Sequence, residues 1–248
     1  MKEYMQSKID FLIGVTSFFL TQIFGIVFLK VIFNNIPTLN GWNFYQMVFI
    51  YGYAQIPRGL DHYFTDFFWP FASEAVVDGL VDRYLLRPVN IIFQIVVERC
   101  QADGLGEVIV GLIFVFYSGS KLNLHVTAGM VIGFIIASIA GAFIYTAVKI
   151  FFAALAFYMK RSWGMLALGY NFSDFVKYPT EIYSKPIRMI ITYIIPFAFT
   201  GFIPAKWFLT GGNAMYVLGT TVCVAVVAMI LTCLFFYVSL SRYESAGN

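Results

Sequence analysis

Few residues in this chain have the type and spacing that catalysis requires. The two histidines, His62 and His125, lie far apart, and Cys100, Cys223 and Cys233 sit near or within apolar stretches. Such cysteines read as small hydrophobes rather than a disulfide or metal framework, and no zinc site is expected. There is no G-x-x-x-x-G-K-[S/T] loop and no LSGGQ-like stretch, so nothing here cradles a nucleotide phosphate. An intramembrane enzyme would need a metal-ligand cluster or a nucleophile–base pair, and neither is visible. The chemistry on offer is charge in unusual places. D-G-L-V-D-R-Y-L-L-R-P-V-N, residues 78–90, holds four charges in thirteen residues between two long apolar tracts. Arg58, Asp61 and Lys149 fall inside apolar tracts.

The elements that must position these charges are membrane helices. Of 248 residues, 60% are hydrophobic and 12% charged, with mean hydropathy +0.79. Soluble domains carry about 25% charged residues, so a soluble fold is excluded. The expectation is an all-α, polytopic membrane protein, with residues 1–248 forming one transmembrane domain. Six spans are expected, at about 9–33, 43–63, 104–118, 127–158, 187–204 and 214–240. The third is short unless it begins near Ile91, and the long fourth and sixth must tilt or protrude. Met1 to Lys8 is polar and the run to Phe33 is too long for a signal h-region, so the first span is expected to stay.

Orientation follows from Lys and Arg. With a cytoplasmic N-terminus, Lys2, Lys8, Arg83, Arg87, Arg99, Lys160, Arg161, Lys177, Lys185, Arg188 and Arg242 lie inside. Only Lys30, Lys121 and Lys206 lie outside. Both termini are therefore expected in the cytoplasm. Trp42 and Trp207 then mark the outer boundary, Trp69 and Trp163 the inner one. The outer loops hold no Asp or Glu. Two inner connections, 64–103 and 159–186, form the cytoplasmic surface.

Within E-A-V-V-D-G-L-V-D-R-Y-L-L-R, residues 74–87, Glu74, Asp78 and Asp82 recur every four residues, beside Val77, Val81 and Leu85. That period predicts one amphipathic helix with an acidic stripe, ended at Arg87 because Pro88 disfavours helical geometry before it. It could tether two spans at the interface. An acidic stripe, however, suits a basic or polar groove on another protein better than anionic lipid.

Other patterns admit two readings. Gly129, Gly133, Ala137 and Gly141 form a small-residue stripe for helix packing, within the chain or against a second membrane chain. Arg58 and Asp61, three apart, form a structural ion pair or a gate, with His62 incidental. Lys149 is a functional group in a span or a snorkelling lysine near its end. Pro196 and Pro204 should each kink or break the fifth span, lining a pathway or turning the chain back. The 28 Phe and 16 Tyr read as lipid-facing surface.

G-L-V-D-R-Y-L-L-R-P-V-N resembles the G-x-x-D-x-x-L-x-R-P element of bacterial ABC transporter permeases of the type-2 exporter kind. F-V-K-Y-P-T-E-I-Y (175–183), followed by I-I-P-F-A-F-T-G-F-I-P-A (194–205), is similar to a second signature of that family. The resemblance implies a coupling helix between spans two and three, set into a groove of a separate ATPase. Asp78, Gly79, Asp82, Arg83, Leu86, Arg87 and Pro88 match the motif, with Glu74 at the start of the element. It also implies two ATPase copies that hold ATP and Mg, and a second permease, identical or related. A re-entrant outer hairpin including 205–213 and a place in the bacterial plasma membrane are implied too. No cofactor is expected on this chain, and no nucleic acid. A lipid, drug or peptide is the substrate class this suggests. The rival is a gradient-driven carrier or channel, for which intramembrane acids and inverted repeats are the signs. A structural anchor for a complex is the remaining alternative.

Overall fold

A computed structural model describes residues 2–243, and side chains at Thr16 and from Phe18 onward. Lys2 and Lys8 thus lie outside the described side chains. The order is α1 (Lys2–Asn35), α2 (Phe44–Thr65), α3 (Phe68–Pro70), α4 (Leu80–Leu85), α5 (Ile91–Glu98) and α6 (Asp103–Lys121). Then come α7 (Ala128–Ala154), α8 (Ala156–Met159), α9 (Trp163–Asn171), α10 (Lys185–Met189), α11 (Phe202–Thr210) and α12 (Ala214–Leu240). The described residues contain no strand. Short polar side chains start the long helices where the sequence offers them. Asn43 and Gln46 form a capping box on α2, Thr127 accepts from Met130 N, and Asn213 accepts from Tyr216 N.

Four stretches are long and apolar enough to cross a membrane: Phe18–Asn35, Asp103–Lys121, Ala128–Met159 and Ala214–Leu240. A bent pair, Lys185–Ile194 and Phe197–Thr210, would make a fifth. α2 is not among them, because Gln46, Gln55, Arg58, Asp61 and His62 lower its hydropathy. It can carry them because other helices surround it. Gln22 of α1 accepts hydrogen bonds from Tyr51 (2.6 Å) and Gln55 (3.1 Å) of α2.

The tightest packing joins α2 to antiparallel α6. Gly52 and Gly59 face Gly111 and Gly104, each pair seven residues apart. A methyl on Gly111 would sit 2.7 Å from the Gly52 carbonyl oxygen, and one on Gly104 2.6 Å from that of Gly59. The two backbones touch, as small residues allow in lipid. Of the expected stripe on α7, Gly133 packs on Trp207 and Leu218, Ala137 is buried, and Gly141 packs on Pro57. Gly129 is exposed.

The fifth expected span, 187–204, is corrected. The helices on either side of Ile195–Pro196 meet at a 76° bend. Glu181, before the bent pair, bonds Lys206 near its end at 2.8 Å. The bridge brings the approach to the pair and its second arm together, so the pair is a bent hairpin rather than the straight helix expected. Pro196 makes the break. Pro204 makes none, because it lies in the first turn of α11, where no intrahelical donor is lost.

Residues 159–186 are likewise not a connection confined to one end. From Asp174 to Glu181 the chain climbs antiparallel to α2. Asp174 meets Arg58, Val176 lies against Gly201, which also meets Ala54, Tyr178 meets Tyr51 edge to face, and the Glu181 carbonyl faces Asn40. Lys177 thus lies along the bundle, and Lys185 and Arg188 start from the end expected to be outside. The charge asymmetry is weaker than the sequence suggested, though not reversed. The tryptophans sort as expected: Trp69 pairs with Trp163 at one end, and Trp42 packs on Phe202 at the other.

Candidate functional site

At the end of the bundle that carries residues 66–102, two charged constructions adjoin. The first is the 66–102 segment itself. The expected single helix over 74–87 is corrected: α3 runs into a π turn, Phe71–Ala75, and then into turns. Gly79 adopts φ +67°, a left-handed conformation that glycine accepts without steric cost and that breaks the helix. Only Leu80–Leu85 is α-helical beyond it. Asp82 therefore does not share a helical stripe with Glu74 and Asp78. Pro88 follows the helix end as expected.

This segment is anchored on one side and bare on the other. Phe68, Phe71, Ala72 and Ala75 are fully buried, with Phe71 against Phe157 and Phe236. Ser162 N donates to the Ala72 carbonyl at 2.7 Å, tying the turn to the start of α9. Val81 and Tyr84 point inward. Gln94 donates to the carbonyls of Tyr84 and Val89, which holds α5 against α4. Arg83 and Glu98 add an exposed ion pair at 2.9 Å. Tyr84 and Glu98 hold the Arg83 guanidinium above its ordinary pKa, so it stays charged. What remains outside is the tip Leu85–Leu86–Arg87–Pro88–Val89, with Leu86 85% exposed, flanked by exposed Glu74 and Asp78. Asp82 is half-buried.

The second construction is a chain of charges, fully buried at Lys149 and Asp61 and open to solvent at Asp174. Lys149 of α7 is fully buried, 2.8 Å from Asp61 and 3.3 Å from Asp66. Thr65 and Thr146 donate to Asp61 at 2.5 and 2.9 Å. His62 lies 3.6 Å from Asp66 and 2.9 Å from Glu107 of α6. Arg58 reaches Glu107 at 3.7 Å and Asp174 at 3.0 Å, and Lys177 meets Asp174 at 2.7 Å. Tyr170 offers its ring to both Arg58 and Lys149. Four carboxylates thus face Lys149, Arg58, Lys177 and His62. The charges cancel only when His62 is protonated.

Three expectations change here. Arg58 and Asp61 do not pair with each other; each bonds a different helix. Lys149 does not snorkel, because its ammonium is enclosed by carboxylates. His62 is not incidental but joins the Asp66 side of the chain to Glu107. Glu107, Asp66, Asp174 and Lys177 were not foreseen. Ionisable residues in three apolar tracts, Arg58, Asp61 and His62 in one, Glu107 in the next and Lys149 in the third, were the available signal.

The network can hold α2, α6, α7 and the 172–177 turn in one arrangement, and Asp66 fastens it to the start of the 66–102 segment. A buried ion pair gains little net stability, but losing one partner is costly. Such a group acts as a registry device.

The profile of the family described as ABC-2 family transporter protein matches residues 19–247. No curated protein and no solved structure matches the chain. The match spans most of the sequence, so the chain belongs to the ABC-2 transporter family and is a membrane permease of that type.

Proposed function

We propose that this ABC-2 permease is the membrane-spanning subunit of an exporter in a bacterial plasma membrane, driven by a separate ATPase. Two ATPase copies carry the ATP and Mg, and a second permease, identical or related, completes the pathway. Six crossings are made by α1, α2, α6, α7, residues 163–183 and α12, with both termini cytoplasmic. The hairpin 185–210 then dips in from the outer side. A lipid, drug or peptide is the substrate class we favour.

The observation that carries the reading is the bare tip Leu85–Val89 on a deeply anchored base. An exposed leucine beside an arginine, held by buried Phe68 and Phe71, suits insertion into a partner's groove. In this mechanism ATP closes the ATPase dimer and moves the tip. The base moves with it, and Asp66 passes the displacement to Lys149 and so to α7. The cavity between two permeases alternates its access as the helices shift. The experiment is mild detergent extraction and mass identification of what co-purifies. A stoichiometric ABC ATPase supports the reading, and recovery of the chain alone under several detergents overturns it.

One observation favours a second reading, a gradient-driven carrier or channel: carboxylates Asp61 and Glu107 are buried in the spans. Liposomes holding this chain alone separate the two. Ion or proton flux without ATPase would support the carrier.

A further inference from the structure

Between α6 and α7, at the end of the bundle away from residues 66–102, lies a cavity of about 760 Å³. Val115 and Phe116 form one wall, Met130 and Phe134 the other, and Phe208 of the hairpin closes the floor. The mouth opens sideways between Phe116, Val131 and Ile135, which are 71%, 48% and 52% exposed. In a membrane protein that mouth faces hydrocarbon. Its apolar walls offer water no hydrogen-bond partners, and leaving the recess empty would forfeit packing along them. Its volume falls in the range of built ligand sites.

The rim differs from the walls. Ser120, Asn123 and His125 line it, and Lys121 is adjacent. Residues 119–127 contain no acid, so the rim offers hydrogen-bonding side chains and the Lys121 ammonium with no carboxylate to oppose an anion. An apolar slot capped by a basic, hydrogen-bonding rim at the helix ends matches one molecule with a long chain and an anionic phosphate. We infer that this cavity holds one acyl chain of a membrane phospholipid, its phosphate at the Lys121–His125 rim. The bound chain packs on Phe208 and so touches the 185–210 hairpin. The inference rests on the membrane reading, but not on the ATPase or on transport direction.

The test uses the full chain in nanodiscs of phosphatidylcholine doped with phosphatidylglycerol bearing a diazirine in its tail. Crosslinks should concentrate on residues 112–135 and on Phe208, about fivefold above the exposed α12 face at Leu231 and Leu234, which lines no cavity. Val131→Trp plugs the mouth and should remove that excess, while Val131→Ala keeps it. Val131 is half exposed, so both variants should unfold at the temperature of the parent. Lys121→Gln with His125→Gln should abolish the preference for the phosphatidylglycerol probe over a phosphatidylcholine one. Equal labelling of α12, unchanged by Val131→Trp, means annular lipid only and overturns the inference. Chain-to-chain crosslinks that exclude lipid from the slot mean a second copy covers it, and overturn it equally.

Discussion

Two groups of charged residues meet near the end of α2 and are handled in opposite ways. Around Lys149 each charge has an opposite charge within 4 Å, and Lys149 and Asp61 are shut off from solvent. Around Arg87 the side chains stand open beside bare Leu85, Leu86 and Val89. The residue types are similar; the surroundings are not. Charges that must fix helices relative to one another are enclosed and mutually satisfied. The charges at the tip stand beside apolar side chains that no other described residue covers. The contrast predicts which substitutions damage the fold and which damage only assembly.

The largest effect should come from breaking the enclosed group. Lys149→Met leaves Asp61 and Asp66 without their cation and should cost about 3–5 kcal/mol. Thermal unfolding of the purified chain in detergent measures it. Adding Asp61→Asn should recover part of the loss, and a stable single mutant would show that the pair holds nothing. The displayed group should behave the other way. Leu86→Asp with Arg87→Glu should leave the unfolding temperature unchanged yet weaken ATPase binding by about 2–4 kcal/mol, read by pull-down and by lost ATPase coupling. A fall in stability would place the tip in the core and erase the contrast.

Two smaller effects sharpen the picture. Gly111→Val forces apart the backbones of α2 and α6 and should cost about 1–3 kcal/mol, whereas Gly129→Val, on an exposed face, should cost almost nothing. Differential thermal shifts distinguish them. Smallest is Lys206→Ala, which cuts a half-exposed bridge to Glu181 and should change stability by no more than about 1 kcal/mol. Its readout is faster hydrogen exchange confined to the 185–210 hairpin.

Much of the scaffold was legible in the sequence because apolar run length is a local signal. The expected span at 214–240 coincides with α12 and that near 104–118 falls within α6, whereas the one near 43–63 overlaps α2, a helix too polar to stand out by run length alone. The network was not legible, because its partners are distant in sequence: Lys149 and Asp66 are 83 positions apart. Nothing local couples them. The helix over 74–87 was misread because its four-residue period continues through Gly79, where the backbone turns left-handed. The climb along α2 was missed for another reason. Residues 172–183 make that passage in short 3₁₀ turns with polar side chains, which no hydropathy window would flag.

The paired glycines have a mechanical consequence. Residues 66–102 begin where α2 ends and finish where α6 begins, and Gln101 N donates to the Tyr63 carbonyl across the gap at 3.0 Å. With Gly59 on Gly104 and Gly52 on Gly111, the two backbones meet at these levels, and the stems of Phe114, Ile56 and Glu107 close in on the glycines. The two therefore form a single stiff shaft, and 66–102 is a crank keyed to its foot. A displacement at that foot should move the pair as a unit, so that labels on the far loops, 36–43 and 119–127, would shift together.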